Sequence, residues 1–470
     1  MLKTALKGKF VLVLGLGLSG QAAVSFLLRR GARVVGADSK IGKLVEDASI
    51  AELCAEGMKA IHDGASCDIN EFDLLVVSPG IPTTHPYYQE ALRLGVEIIG
   101  EVELACREIK KPCVGITGTN GKTTVTSMIA HILNHSGKKA RALGNIGTPL
   151  TTAIDQEIDA DIYIIELSSF QLETLHTRFL DCAVILNITP DHLDRYASMN
   201  DYAQAKINIK NNLKVGGKLF LEERCLSDFS SQFTEEHYFN YGYDSMCYMH
   251  TDLERMFLDG KSVCTLPQSF QHKRSHEVEN LLAAFLLCTE MGITSDQFLD
   301  GFKTFKKPSH RIEFVTSIDG VEFYDDSKGT NIDAVIRAVE SLSKLSVKEN
   351  IILIAGGVDK GAPYTPWLDV FKGHVKAICA IGQAAPKMHN ELKSQFQIKI
   401  HENLDAAVQH AFSLAKRGDI VLLSPGCSSF DMFKDYAHRG QEFQRIVNEL
   451  YSSLSPSALS KIELGDRPEY

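Results

Sequence analysis

"CVGITGTNGKTT", Cys113–Thr124, decides the fold. An apolar strand, Cys113–Thr117, runs into Gly118-Thr119-Asn120-Gly121-Lys122-Thr123-Thr124, and Thr123–Asn134 carries apolar residues at helical spacing. Strand, glycine loop and helix in that order form an anion cradle, because backbone N–H groups and a helix N-terminus converge on one point. Lys122 is then placed for terminal phosphates and the Thr123 hydroxyl for a metal ion. Ile116 stands where the common P-loop has its first glycine, so this is a short G-x-x-G-K-T form. A chance glycine turn is the alternative, and the in-register strand and helix argue against it.

Working outward, strand-like runs alternate with helical patterns along nearly the whole chain, the mark of an α/β architecture. Phe10–Leu14, Arg33–Ala37, Leu74–Val77 and Glu97–Ile99 read as strands, with a helix at Tyr87–Leu94. Gly15-x-Gly17-x-x-Gly20 follows the first strand, and Asp38 closes the second, about 20 residues on, in the dinucleotide fingerprint. That motif alone suits NAD or any other diphosphate. Lys110-Lys111-Pro112 reads as a linker. Ile162–Glu166 and Cys182–Asn187 continue the second pattern, a β-leaning stretch runs over about 216–267, and His276–Met291 is a helix. After "KKPSHRIEF" come strands Val321–Tyr324, Ile351–Ala355, Ala377–Ile381 and Ile420–Ser424, with helices Ile332–Leu342, Leu404–Arg417 and Ser429–Leu450. The expected organisation is three domains: an N-terminal Rossmann-like domain (1–107), a central P-loop ATPase-like mononucleotide-binding domain (108–308) and a C-terminal Rossmann-like domain (309–470).

The formal net charge of −10 argues against a general nucleic-acid binder, which needs a basic face. Eleven cysteines, an odd number without a C-x-x-C pair, read as reduced thiols in a cytoplasmic protein. "MLKTALKGKF" leaves no room for a signal peptide before the first strand, and no apolar run approaches the roughly 20 residues of a spanning helix.

Two further stretches carry chemistry. In "YIIELSSFQLE", Glu166 ends a buried strand where α/β folds bind ligands, and a carboxylate opposite a phosphate loop suits a divalent cation. A solvated strand end is the other reading. "ILNITPDHLDRY" presents Asp191, His192 and Asp194 after a strand, and Lys206 lies on a following helix. Taken alone, His192 reads more readily as a structural loop histidine, and Lys206 as a solvated charge.

Together, "GTNGKTT", "ELSSFQLE" and "NITPDHLDRY…YAQAK" resemble the Mur ligases, the ATP-dependent amino-acid-adding enzymes of peptidoglycan synthesis. The likeness covers essentially the whole chain through "GLGLSG", "SPGI", "GNIG", "SHRIE", "DDSKGTN" and "LLSPGCSSFDMFKDYAHRG". It is strongest to the members that add D-glutamate.

The resemblance implies that Gly118–Thr124 hold ATP, that Lys122 binds the transferred phosphoryl, and that two Mg²⁺ ions sit on Thr123, Glu166, His192 and a carbamylated Lys206. A carbamate is the kind of anionic oxygen ligand Mg²⁺ prefers, whereas an ammonium is repelled. Asn280 falls near the adenine, although His276-Glu277 replaces the family's frequent His-Asn. His310 and Arg311 fall at the hinge into the third domain, with Arg311 on ATP phosphates, and Asp326 and Lys328 face the nucleotide. Lys360, Thr330, Ser429, Phe430 and Tyr436 surround D-glutamate; phenylalanine is familiar where Tyr436 stands. The UDP substrate falls to Leu18 and Ser19 at the diphosphate, Asp38, Ser39, Lys40 and Gly80 toward the uridine, and Asn145 and His192. Ser39-Lys40 replace a frequent Thr-Arg.

The implied reaction activates the carboxylate of UDP-N-acetylmuramoyl-L-alanine as an acyl phosphate, which the amine of D-glutamate then attacks, with domain closure completing the site. The implied form is a cytoplasmic monomer that does not insert in a membrane. Another Mur-type ligase is one alternative, but the Asp-Asn-Pro-Arg motif of the diaminopimelate-adding members is absent. An NAD-dependent oxidoreductase built on Phe10–Asp38 is a second, and a non-catalytic nucleotide-binding scaffold a third. The oxidoreductase leaves "GTNGKTT", Glu166 and His192 without a role.

Overall fold

Val11–Leu14 are wholly buried, as a strand sandwiched between two parallel partners must be. In the computed structural model, which describes residues 6–44, 47–233, 238–272, 274–343 and 349–454, this strand is the centre of the first sheet. Its strands are β1 (Phe10–Leu14), β2 (Arg33–Asp38), β3 (Lys59–His62), β4 (Leu74–Val77) and β5 (Glu97–Gly100), all parallel, in the order β3-β2-β1-β4-β5. The order reverses at β1, so the crevice beyond β1 and β4 is a topological switch point. The glycine turn enters helix α1 (Leu18–Arg29) there.

The second sheet has nine strands: β6 (Cys113–Thr117), β7 (Ala140–Gly144), β8 (Ile162–Glu166), β9 (Leu180–Ile185), β10 (Leu213–Glu222), β11 (Tyr238–Gly242), β12 (Met249–Thr251), β13 (Arg255–Leu258) and β14 (Lys261–Thr265). The order is β14-β13-β12-β11-β10-β9-β6-β8-β7, with only the last hairpins, β12-β13-β14, antiparallel. The phosphate-loop strand β6 therefore lies between β8 and β9. Residues 234–237 of the β-leaning stretch lie outside the described residues.

The third sheet has six strands: β15 (Glu313–Ile318), β16 (Val321–Asp325), β17 (Ile351–Gly356), β18 (Val375–Ile381), β19 (Gln397–His401) and β20 (Ile420–Leu423). Their order is β15-β16-β20-β17-β18-β19, parallel except for the edge strand β15.

The chain divides into two compact units, residues 1–188 with 203–305 and residues 189–202 with 306–470. Within the first unit the first two sheets are joined by buried charge. Arg30 stacks on Phe26 and forks onto Glu108 through two 2.6 Å bonds, while its third nitrogen reaches Asp155 at 2.6 Å. Glu101 accepts from the amide and hydroxyl of Thr151 at 2.6 Å, and burial raises its pKa. Glu103 accepts from the amides of His176 and Thr177 and from Arg107. Buried charges so paired hold a register, because breaking one strands its partner.

Three expected elements move. The strand expected at Cys182–Asn187 is Leu180–Ile185, which leaves Asn187 in a loop. The helix expected from Leu404 to Arg417 ends at Leu414. The last helix begins at Tyr436 rather than Ser429, because Val358 and Ser428 form a β-bridge and the following residues turn. The ends of the expected first and third domains, residues 1–5 and 455–470, lie outside the described residues.

Candidate active site

The phosphate loop of the first unit is held open from one side by Asn187. Its carbonyl accepts from the Thr119 amide at 2.8 Å, its Oδ1 from the Asn120 amide at 2.8 Å, and its Nδ2 donates to the Asn120 carbonyl at 3.0 Å. Gly121 caps the helix α2 (Lys122–His135) at φ +88°, and a Cβ there would collide with Asn280 Oδ1. That places Asn280 directly against the loop. A glycine cap offers no side-chain oxygen to the first-turn N–H groups, which suits an anion. Lys122 folds back, donating to the carbonyls of Gly118 at 2.7 Å and Thr119 at 2.8 Å.

Beside the loop, Glu166 ends β8 and is 1% exposed. Asn145 Nδ2 donates to its Oε1 at 2.9 Å, while Oε2 is buried without a hydrogen-bond partner. A buried anionic oxygen without a donor is costly in water-free surroundings. The arrangement fits a hard divalent cation, which oxygen ligands attract. Lys206 is 2% exposed and donates to the Gly118 carbonyl at 2.8 Å. The alternative of a solvated helix lysine, which Lys206 suggests when taken alone, does not hold: Lys206 is inside, against the phosphate loop.

At the first sheet, Ser78 donates to the Gly15 carbonyl at 2.8 Å, and a Cβ on Gly20 would strike the same carbonyl, so the helix start packs directly on the turn. Asp38 braces the loop by accepting from the Leu16 amide at 2.8 Å, while its other oxygen accepts from the Lys40 amide at 2.8 Å in the turn after β2. Leu18 and Lys40 are exposed and Ser19 half-buried around it, with Ser39 and Gly80 exposed as well.

In the second unit, Asp191 is a hub. It accepts from the His192 amide at 2.9 Å, from Lys360 Nζ at 3.0 Å and from Asn331 Nδ2 at 3.2 Å. His192 has φ +55°, so its backbone is strained into the left-handed region while its ring stands 3.6 Å from Asp191. Expected metal ligand and expected amino-acid ligand thus share one carboxylate.

The "DDSKGTN" loop follows β16. Asp325 accepts from His310 Nδ1 at 2.6 Å and from Gln444 at 2.9 Å, and this bond raises the His310 pKa. Asp326 accepts from Ser424 at 2.6 Å, and burial, tempered by that bond and by Arg311, pushes its pKa up to about 7. Lys328 Nζ lies 3.7 Å over the Tyr436 ring. Arg439, 1% exposed, donates to Ser327 Oγ at 3.0 Å and to the carbonyls of Ser327 (2.9 Å), Cys427 (3.2 Å) and Gly356 (3.4 Å). It ties together the loops after β16 and β20 and the end of β17, and burial lowers its pKa to about 10.

Lys122, Thr123, Asn145, Glu166, Lys206 and Asn280 therefore belong to the first unit. His192, Arg311, Asp326, Thr330, Lys360, Ser429, Phe430 and Tyr436 belong to the second. Ser429 is buried and Phe430 74% exposed. Asn187, Asp191 as a hub, and Arg439 are positioning residues that sequence reasoning missed. For Arg439 a signal existed: it shares the helical face of Phe443, Ile446 and Val447, all buried, where an unpaired arginine has no place.

These features define a nucleotide-dependent ligase fold, and the chain belongs to the Mur ligase family. Residues 9–100 match the Mur ligase MurD-like N-terminal domain, 116–288 the Mur ligase middle domain, and 310–427 the Mur ligase glutamate ligase domain. The UDP-N-acetylmuramoylalanine--D-glutamate ligase of Protochlamydia amoebophila is 52% identical over 94% of this chain and 98% of its own. That of Koribacter versatilis is 37% identical over 94% and 98%. Among solved structures, the UDP-N-acetylmuramate-alanine ligase MurC of Thermotoga maritima shares the three-domain fold at a TM-score of 0.59, with 18% identity over 95% of this chain and 100% of that one.

Proposed function

We propose that this protein is the ATP-dependent ligase that adds D-glutamate to UDP-N-acetylmuramoyl-L-alanine in peptidoglycan-precursor synthesis. The observation that carries the reading is Glu166, a buried carboxylate with one oxygen held by Asn145 and the other bare, beside a lysine-bearing phosphate loop. D-Glutamate as the amino acid rests on the likeness to the D-glutamate ligases.

The proposed division of labour is a UDP-substrate domain (1–107), an ATP domain (108–308) and an amino-acid domain (309–470). Leu18, Ser19, Ser39, Lys40 and Gly80 orient the UDP substrate, helped by Asn145. Gly118–Thr124, with Asn280, Arg311 and Asp326, orient ATP. The substrate carboxylate attacks the terminal phosphorus in line, ADP leaves, and Lys122 and Arg311 hold the spreading negative charge. The D-glutamate amine, oriented by Lys360, Thr330, Ser429, Phe430 and Tyr436, attacks the acyl carbon; the C–N bond forms, the C–O bond to phosphate breaks, and the amine proton passes to solvent as phosphate departs. Thr123, Glu166, His192 and a carbamylated Lys206 are the proposed Mg²⁺ ligands: Thr123 would serve one site, His192 the second, and Glu166 both. When bound, Mg²⁺ neutralises phosphate charge. Carbamylation joins the neutral Lys206 amine to carbon dioxide with loss of one proton.

We place the reaction in the cytoplasm and the enzyme as a monomer. No described helix is long and apolar enough to cross a membrane. The NAD alternative leaves the phosphate loop Gly118–Thr124, Glu166 and His192 without a role. An amino-acid panel with UDP-N-acetylmuramoyl-L-alanine, ATP and Mg²⁺ tests the reading through phosphate release. D-Glutamate alone is expected to support turnover. Release with L-alanine, lysine or diaminopimelate instead, or a change in NADH absorbance, overturns it.

A further inference from the structure

Cys379 on β18, His401 at the end of β19 and His410 on the helix Leu404–Leu414 meet at the far edge of the third sheet, apart from every loop described above. Cys379 pairs with Lys399 and Ile381 with His401 across the two strands, so all four share one face, and the helix covers it. His410 Nδ1 lies 3.6 Å from Cys379 Sγ and 3.1 Å from His401 Nε2, and the three ligand atoms all fall within 4.8 Å of one another.

Those spacings have a chemical meaning. With metal–sulfur and metal–nitrogen bonds of about 2.3 and 2.0–2.1 Å, a tetrahedral zinc ion sets sulfur and nitrogen about 3.6 Å apart and two nitrogens about 3.3 Å apart. The observed edges are close to both. Cys379 is fully buried, while both histidines are half-buried and open to ion entry.

We propose that Cys379 Sγ, His401 Nε2 and His410 Nδ1 bind one borderline-soft divalent transition metal of the Zn²⁺ class, with water in the fourth position. Thiolate and imidazole donors select such ions over Mg²⁺, so the site does not compete for the ion of the ligase reaction. On binding, the metal–sulfur bond forms as the thiol S–H bond breaks and the proton passes to solvent. Each imidazole in its neutral form offers one ring-nitrogen lone pair to the ion. The ion staples the edge strand β19 to β18 and to the covering helix. Lys399, whose charge acts on all three ligands, opposes the ion.

The test uses the full chain with saturating Mg²⁺, titrated with Zn²⁺ against a chromophoric chelator and separately with Co²⁺. One tight equivalent is expected, with a tetrahedral Co²⁺ spectrum carrying a sulfur-to-metal charge-transfer band and a raised melting temperature. Cys379→Ser is expected to lose the band, which separates this thiol from the other cysteines. Cys379→Ser and His410→Ala should each weaken binding beyond the about 10–100-fold typical of losing an outer-shell partner. No bound equivalent, an octahedral spectrum without the sulfur band, or unchanged affinity in both variants overturns the proposal and leaves a histidine–histidine hydrogen bond. Should those variants fail to fold, Lys399→Gln keeps every ligand: tighter binding is expected, and unchanged affinity overturns the proposal.

Discussion

Asn187 and Asn120 grip each other reciprocally: the Asn120 amide donates to Asn187 Oδ1 at 2.8 Å and Asn187 Nδ2 donates back to the Asn120 carbonyl at 3.0 Å. One side chain thus sets the curvature of the phosphate loop. Asn187→Ala removes both bonds and leaves two loop groups to find other partners, at about 1–3 kcal/mol. If about 1.4 kcal/mol of that falls on the ATP-binding conformation, the apparent KM for ATP rises about tenfold. Steady-state kinetics with varied ATP measures this, and an unchanged KM refutes it.

Lys122 is held by loop carbonyls and must turn outward to meet a phosphate. Lys122→Ala is expected to lower kcat by at least about 10²-fold, the scale of losing one preorganised charge-stabilising group. The melting temperature should stay within a few degrees of the parent, because the side chain is only half-buried. Near-parental phosphate release would remove Lys122 from phosphoryl transfer.

Lys206 is buried against Gly118, so its role and its packing can be separated chemically. Lys206→Ala should be nearly inactive and regain part of its turnover with added short-chain carboxylic acids, which resupply an anionic oxygen in the emptied space. Mass spectrometry of the intact parent should carry the added carbamate mass under carbon dioxide. Absence of rescue argues against the carbamate.

Arg439 spans two loop carbonyls, the carbonyl at the end of β17 and a hydroxyl with one rigid fork. Lysine keeps the charge but cannot reproduce the fork. Arg439→Lys is expected to destabilise the second unit by about 3 kcal/mol, and to raise the KM for D-glutamate more than the KM for the UDP substrate. Equal effects on both KM values would mean a structural role only.

Asp326 titrates near 7 in the folded chain, against a reference of 3.8. Below pH 3.8 both states hold the proton and no penalty arises. Between about 4 and 7 only the folded state holds it, so stability falls as pH rises, and above 7 the loss is complete. Asp326→Asn removes this dependence. The melting temperature of the variant minus that of the parent should therefore climb from pH 4 to 7 and then level off. A flat difference would exclude a raised pKa for Asp326.

The sequence by itself determined the local chemistry: the strand Cys113–Thr117, the phosphate loop into its helix, Gly15-x-Gly17-x-x-Gly20, and Glu166 at a strand end. These follow from period, glycine placement and chain order, which are local properties. The motifs of one family in one order also carried the family and its reaction class. Tertiary structure alone decided which polar groups share an environment. Lys206 reads as a surface lysine by helical spacing and is 2% exposed, because the phosphate loop, 88 residues away in sequence, packs over it. Asp191 and Lys360, 169 residues apart, form one ion pair. Cys379, His401 and His410 lack any motif spacing and meet only because parallel strands and a covering helix bring them to one face. Burial and long-range pairing are properties of the folded chain, and no local pattern encodes them.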